Sequence, residues 1–203
     1  MKKTIIIIIV VCVIGLLTYG CGQAAKSTGS DGGSSTSTQK LYIFRSESKV
    51  SGNIGGRAGA DLLVSNSSHR PSGNYKYHAL ISVSEFDDIK SMPAKYGFSD
   101  TIQIVSAATD NIKIADNWAD LLDGNIDNSL SDASVLPAGT SSGQWWSGSN
   151  SNGTVTANCS EWSDSNTNGV RGQGELPNTA SWIKDASIVG TTEQYVLGIA
   201  IPQ

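Results

Sequence analysis

The apolar residues of this chain come in short bursts. Leu41–Phe44, Ala60–Val64, Tyr77–Ser84, Thr101–Ser106 and Tyr195–Ile201 are each four to eight residues long, with Gly-, Ser-, Asn- and Asp-rich stretches between them. None carries helical periodicity over many turns, whereas short runs rich in Ile, Val, Tyr and Phe make strands. A chain built this way folds as short strands, tight turns and helices of a turn or two, which is the α+β class. Two short helices are expected. One follows the glycine-rich Gly52–Gly59, over Ala60–Val64. The other spans Asp116–Gly124, with Asp116 as N-cap and Gly124 just past the C-terminus. Gly139–Gly174 holds three of the five tryptophans and reads as a long ordered loop region. With 203 residues, 38% apolar and 16% charged, the chain has room and apolar material for one folded domain.

The N-terminus reads as an address. Lys2 and Lys3 precede an apolar run from Ile5 to Leu17, too short for an ordinary membrane span. The run ends at Leu17-Thr18-Tyr19-Gly20-Cys21. A small residue before a cysteine at that point resembles a bacterial lipobox, which implies cleavage after residue 20 and lipidation of Cys21. More than one acyl chain on such a cysteine gives stable anchoring. An ordinary secretory signal is the alternative. Residues 21–40 are then a lipidated cysteine and a Gly/Ser/Thr tether, with an r.m.s. reach of about 25 Å, and 41–203 the domain.

Charge narrows the partners. The whole chain carries −4, and −6 once residues 1–20 are removed, which excludes a basic nucleic-acid footprint. Residues 101–203 hold 11 acidic and 3 basic side chains, a solvated face or one that steers a basic partner or holds a cation. In Gly52–Asp61, Gly55, Gly56 and Gly59 allow positive φ and close backbone approach at a turn into a helix. Asp61 near the helix start is expected to meet free N–H groups. Trp146, Trp162 and Trp182 offer apolar area to pin long loops onto a small sheet.

Two segments resemble a known family. Gly55-Gly56-Arg57-Ala58-Gly59-Ala60-Asp61 looks like the GG-x-x-GAD entry of endostatin-like domains. Trp146-Ser147-Gly148 with Cys159-Ser160-Glu161-Trp162 looks like that family's W-x-G and C-x-x-W segment. The resemblance covers residues 41–203. It implies the endostatin-like branch of the C-type-lectin-like fold, whose bacterial members are found among spirochaetal surface lipoproteins. It implies a surface-exposed outer-membrane protein binding laminin, fibronectin, complement factor H or plasminogen. That family carries two disulfides. Here Val64 stands for one cysteine, and its partner position falls at Gly198 or Ile199. No partner for Cys159 stands near Ser187, so Cys159 is either a buried inert thiol or open to an intermolecular bridge. No histidines near Leu41 match the zinc site of vertebrate endostatin, so no metal and no cofactor is expected.

Catalytic motifs are thin. Gly139-Thr140-Ser141-Ser142-Gly143 matches G-x-S-x-G, but Pro137 precedes it and Gln144-Trp145-Trp146 follows, not the strand–turn–helix of a nucleophile elbow. His69 and His78 have no metal-ligand spacing. The expectation is a non-enzymatic binding domain, with Trp145, Trp146 and Arg171 as contact residues because aromatics and Arg dominate interfaces. One alternative is a calcium-dependent lectin-like module using Asp164, Glu175 and Asn178 as oxygen ligands. The other is a structural envelope lipoprotein with no host ligand.

Overall fold

The computed structural model describes residues 39–109 and 112–203. The signal segment, Cys21 and the tether up to residue 38 lie outside the described residues. The described residues form one compact unit.

Strand β1 (Lys40–Arg45) shows why the chain needs two cores. Its side chains alternate, as a strand requires. Leu41 and Ile43 enter one apolar cluster, and Phe44 enters another on the opposite face. The closing strand, Leu197–Pro202, pairs antiparallel with β1 and alternates in the same way, with Leu197, Ile199 and Ile201 on one side and Ala200 on the other. Strand β2 (Tyr75–Ala79) pairs with the outer edge of this closing strand, β3 (Gln103–Ser106) runs parallel to β1, and β4 (Lys113–Ala115) completes the far edge. The closing strand is β8, and the order across the sheet is β2-β8-β1-β3-β4.

Helix α1 (Gly56–Ser65) covers the second face with Ala60 and Val64. Gly198 of β8 lies beneath it. A Cβ there would sit 2.9 Å from the Cβ of Val64 and 2.5 Å from the Phe44 ring. The first face is covered by α2 (Met92–Tyr96), α3 (Trp118–Leu121) and the segment carrying Ile126, Leu130 and Leu136. Asn117, not Asp116, caps α3 by accepting from the Asp120 N–H at 2.9 Å, because Asp116 is held by Lys113. Its C-cap is Leu122, two residues short of Gly124.

The structure corrects the expected loop region and the expected two helices. Gly139–Gly174 contains β5 (Gln144–Trp146), a left-handed turn α4 (Cys159–Trp162) and β6 (Asn168–Gln173). With β7 (Ala186–Val189), β5 and β6 form a second, antiparallel sheet in the order β5-β6-β7. The expected strand over Tyr77–Ser84 leaves the sheet at Ala79. Arg57 takes the Ala79 and Ile81 carbonyls, each at 2.6 Å, and the Ser82 N–H turns to Ser147.

Candidate functional site

The residues marked by the sequence gather into a structural clasp. Gly55 and Gly56 take φ of 89° and 68°, which turns the chain into α1. Gly59 has no room for a side chain, since a Cβ would collide with the Ile54 carbonyl. The N–H groups of Ile54 and Gly55 both donate to the Trp162 carbonyl, at 2.9 and 3.0 Å. Asp61 does not cap the helix. It lies mid-helix, accepts the Ala79 N–H at 2.8 Å and faces His78 Nδ1 at 3.2 Å, so it ties α1 to β2.

In α4, Cys159, Ser160, Glu161 and Trp162 all have φ between 53° and 63°. Left-handed backbone costs roughly 1–2 kcal/mol per residue outside glycine. Three contacts offset it. Asn158 accepts the Glu161 N–H, Trp162 N–H bonds to the Asn158 carbonyl, and the buried Trp162 indole donates to the Ser82 carbonyl at 2.8 Å. Cys159 is a free, buried thiol. Its sulfur is seated among Gly52, Gly169 and Gly190, where a Cβ at Gly169 or Gly190 would stand 2.8 or 2.7 Å from it and one at Gly52 would collide. Burial, with a smaller push from Asp164, raises the thiol to about 11, which suits an inert group.

Trp145 and Trp146 do not face a partner. Both are 0% exposed. As neighbours on a strand they point to opposite faces. Trp145 stacks on Trp182 at 5.9 Å and donates to its carbonyl, while Trp146 packs on Trp162 at 5.6 Å and donates to Val50. Gly172, opposite Trp145 in register, makes this possible, because a Cβ would stand 2.5 Å from the indole nitrogen. Arg171 is spent internally on Asp185 (3.0 Å) and Gln144 (2.8 Å). The expected contact residues therefore stitch the second sheet to both cores.

The presented apolar surface lies elsewhere. Phe86 is 82% exposed. It sits at the tip of a tight turn in which the Val83 and Ser84 N–H groups donate to the Asp87 carbonyl. The Asp87 carboxylate is gripped by Arg57 through two nitrogens, at 3.1 and 2.7 Å, and by Lys95 of α2 at 2.7 Å. Burial pulls the Asp87 carboxyl upward, but these bonds outweigh it and hold it below the usual range. Tyr96 stacks on His78 at 3.8 Å, and burial pushes its phenol up to about 12. Beside the turn, α2 and α3 enclose a groove of about 630 Å³. Pro93, Ala94, Phe98, Trp118 and Leu122 line it, and Lys90, Asp100 and Asn152 stand at its polar edge. Phe98 meets Trp118 edge-on at 5.2 Å, and the Trp118 indole N–H is satisfied by the Ile89 carbonyl. Nothing in the sequence marked Phe86 or this groove, since a single Phe between acidic residues carries no motif.

Two of the expected calcium ligands, Glu175 and Asp164, already accept hydrogen bonds. Glu175 accepts the Gly139 N–H, and Asp164 accepts from Asn166 at 2.8 and 2.9 Å. Carboxylates do converge at Asp116, Asp120 and Asp127. There Lys113 bonds Asp116 and Asp127 at 2.7 and 3.0 Å, which raises its ammonium to about 12 and places a cation in the cluster. Ser141, in the G-x-S-x-G match, lies exposed in a turn, with its carbonyl accepting from Lys49. Among the described residues, no helix is long and apolar enough to cross a membrane.

Residues 47–180 match the family model described as protein of unknown function, DUF1554, and the chain belongs to that family. No curated protein matches it. The matched stretch starts just after β1 and ends at Ala180, the first residue of the 3-10 turn Ala180–Trp182, so it contains the α1 entry turn, α4, the Phe86 turn and the groove.

Proposed function

We propose that this chain is a lipid-anchored surface protein whose endostatin-like domain binds extracellular matrix or complement-regulatory proteins without catalysing a reaction. The anchoring part rests on Lys2-Lys3, the apolar run and Gly20-Cys21. Three features support the endostatin-like, C-type-lectin-like architecture. The first and last strands pair, a second small sheet sits on the long central segment, and Val64 packs against Gly198, where the resemblance places a disulfide.

The observation that carries the binding role is Phe86. A large aromatic, exposed on a turn that a doubly bonded Asp87 holds rigid, is a preorganised anchor of the kind that dominates protein interfaces. A groove lined by Lys90 lies on the neighbouring segment. The test is binding of Gly22–Gln203 to immobilised laminin, fibronectin, plasminogen and factor H at two salt concentrations, beside Phe86→Ser. Saturable binding that falls about tenfold or more in Phe86→Ser is the expected result. A folded domain that binds none of the four contradicts the reading and favours a structural envelope role.

A further inference from the structure

We propose that two copies of this chain pair about a two-fold axis, each placing Phe86 in the other's α2–α3 groove. This goes beyond the proposed ligand role, since it states what covers the face when no ligand does. The knob and the hole belong to neighbouring segments of one domain. Phe86 and Lys90 are four residues apart, hence at most about 14 Å between Cα atoms. The Lys95–Asp87 bond fastens the Phe86 turn to α2, the helix whose Pro93 and Ala94 line the groove.

Neighbouring knob and hole are the geometry of an isologous contact, in which residue i meets j and j meets i. The groove matches a phenyl ring in kind, since its floor is the Phe98–Trp118 pair and its walls are proline and aliphatic carbon. Aromatic rings pack well on such a floor in edge or offset arrangements. Charge sets the direction. Glu85 precedes Phe86, Lys90 stands at the groove edge, and neither has an ion-pair partner among the described residues. Asp100 also lines the groove and repels Glu85, so the incoming Glu85 is placed at Lys90 and away from Asp100. A two-fold pairing brings Glu85 to Lys90 twice.

Sedimentation velocity on Gly22–Gln203 tests this, from about 10 μM to about 1 mM with no ligand present. That chain keeps every residue of the compact unit. The expected result is a monomer–dimer equilibrium that Phe86→Ser weakens by tenfold or more, because each dimer meets the substitution twice. Glu85→Lys alone and Lys90→Glu alone each weaken it, and the double variant restores it. Circular dichroism melting confirms that every variant is folded. A monomer at all concentrations overturns the proposal and leaves the face to another partner. So does growth beyond a dimer, or a dimer that Phe86→Ser leaves intact. Failure of the ligand panel leaves this result untouched, and the reverse also holds.

Discussion

Trp145–Trp146 and Phe86 are both aromatic steps in segments rich in polar residues, yet one pair is wholly buried and the other ring stands in solvent. What faces them decides the outcome. Around the tryptophans the chain has removed side chains, with Gly172 under Trp145 and Gly169 beside Trp146, so each indole closes onto backbone. Around Phe86 the chain has added charge, with Arg57 and Lys95 fixing the turn through Asp87 and the ring left exposed among the described residues. An aromatic in a loop-like stretch is thus read from its glycine neighbours, not from the polarity of its segment.

Trp145→Ala is expected to cost about 3–5 kcal/mol in urea unfolding, since it empties one core and orphans the Trp182 carbonyl. A loss below about 1 kcal/mol would place Trp145 at the surface. The clasp can be sharpened next. Gly190→Cys should form a disulfide with Cys159, whose sulfur lies 2.7 Å from the new Cβ, once the Ser165 backbone yields slightly. The expected gain is about 2 kcal/mol, lost on reduction, with thiol titration as the check.

The Phe86 turn carries a pH signature. Asp87 has a lowered carboxyl, so its contribution is fully present above the unfolded carboxylate range and is lost as pH falls through the lowered value. Asp87→Asn should therefore remove about 1.5 kcal/mol at neutral pH and flatten the acid limb of stability below the unfolded carboxylate range. In α4, Glu161→Gly relieves one left-handed residue and should stabilise by about 0.5–1 kcal/mol. The smallest effect on stability belongs to Phe86→Ser, within about 0.5 kcal/mol, although binding and self-association respond strongly.

Much of the first sheet was legible. Leu41–Phe44 and Tyr195–Ile201 are uninterrupted apolar runs, and the glycines before α1 announce a turn. The second sheet was not. Gly169 and Gly172 give β6 the look of a loop, yet they are what lets the tryptophans and Cys159 pack across it. Asp61 departs from a capping role because its partners, Ala79 and His78, are 17 or more residues away, beyond any local capping rule. Residue type alone marks Trp145, Trp146 and Arg171 as contacts, whereas their partners Trp182, Val50, Asp185 and Gln144 are all tertiary. The groove joins α2, α3 and Asn152, which no local pattern connects.

All five tryptophans belong to the interior, while Phe86 stands exposed. Acrylamide quenching of the native domain's tryptophan fluorescence tests it directly. Trp118 at 4% exposed and the other four at 0% predict blue-shifted emission that acrylamide barely quenches until denaturant unfolds the chain. A native spectrum at the position of free tryptophan, quenched as fully as the unfolded chain, would contradict the account.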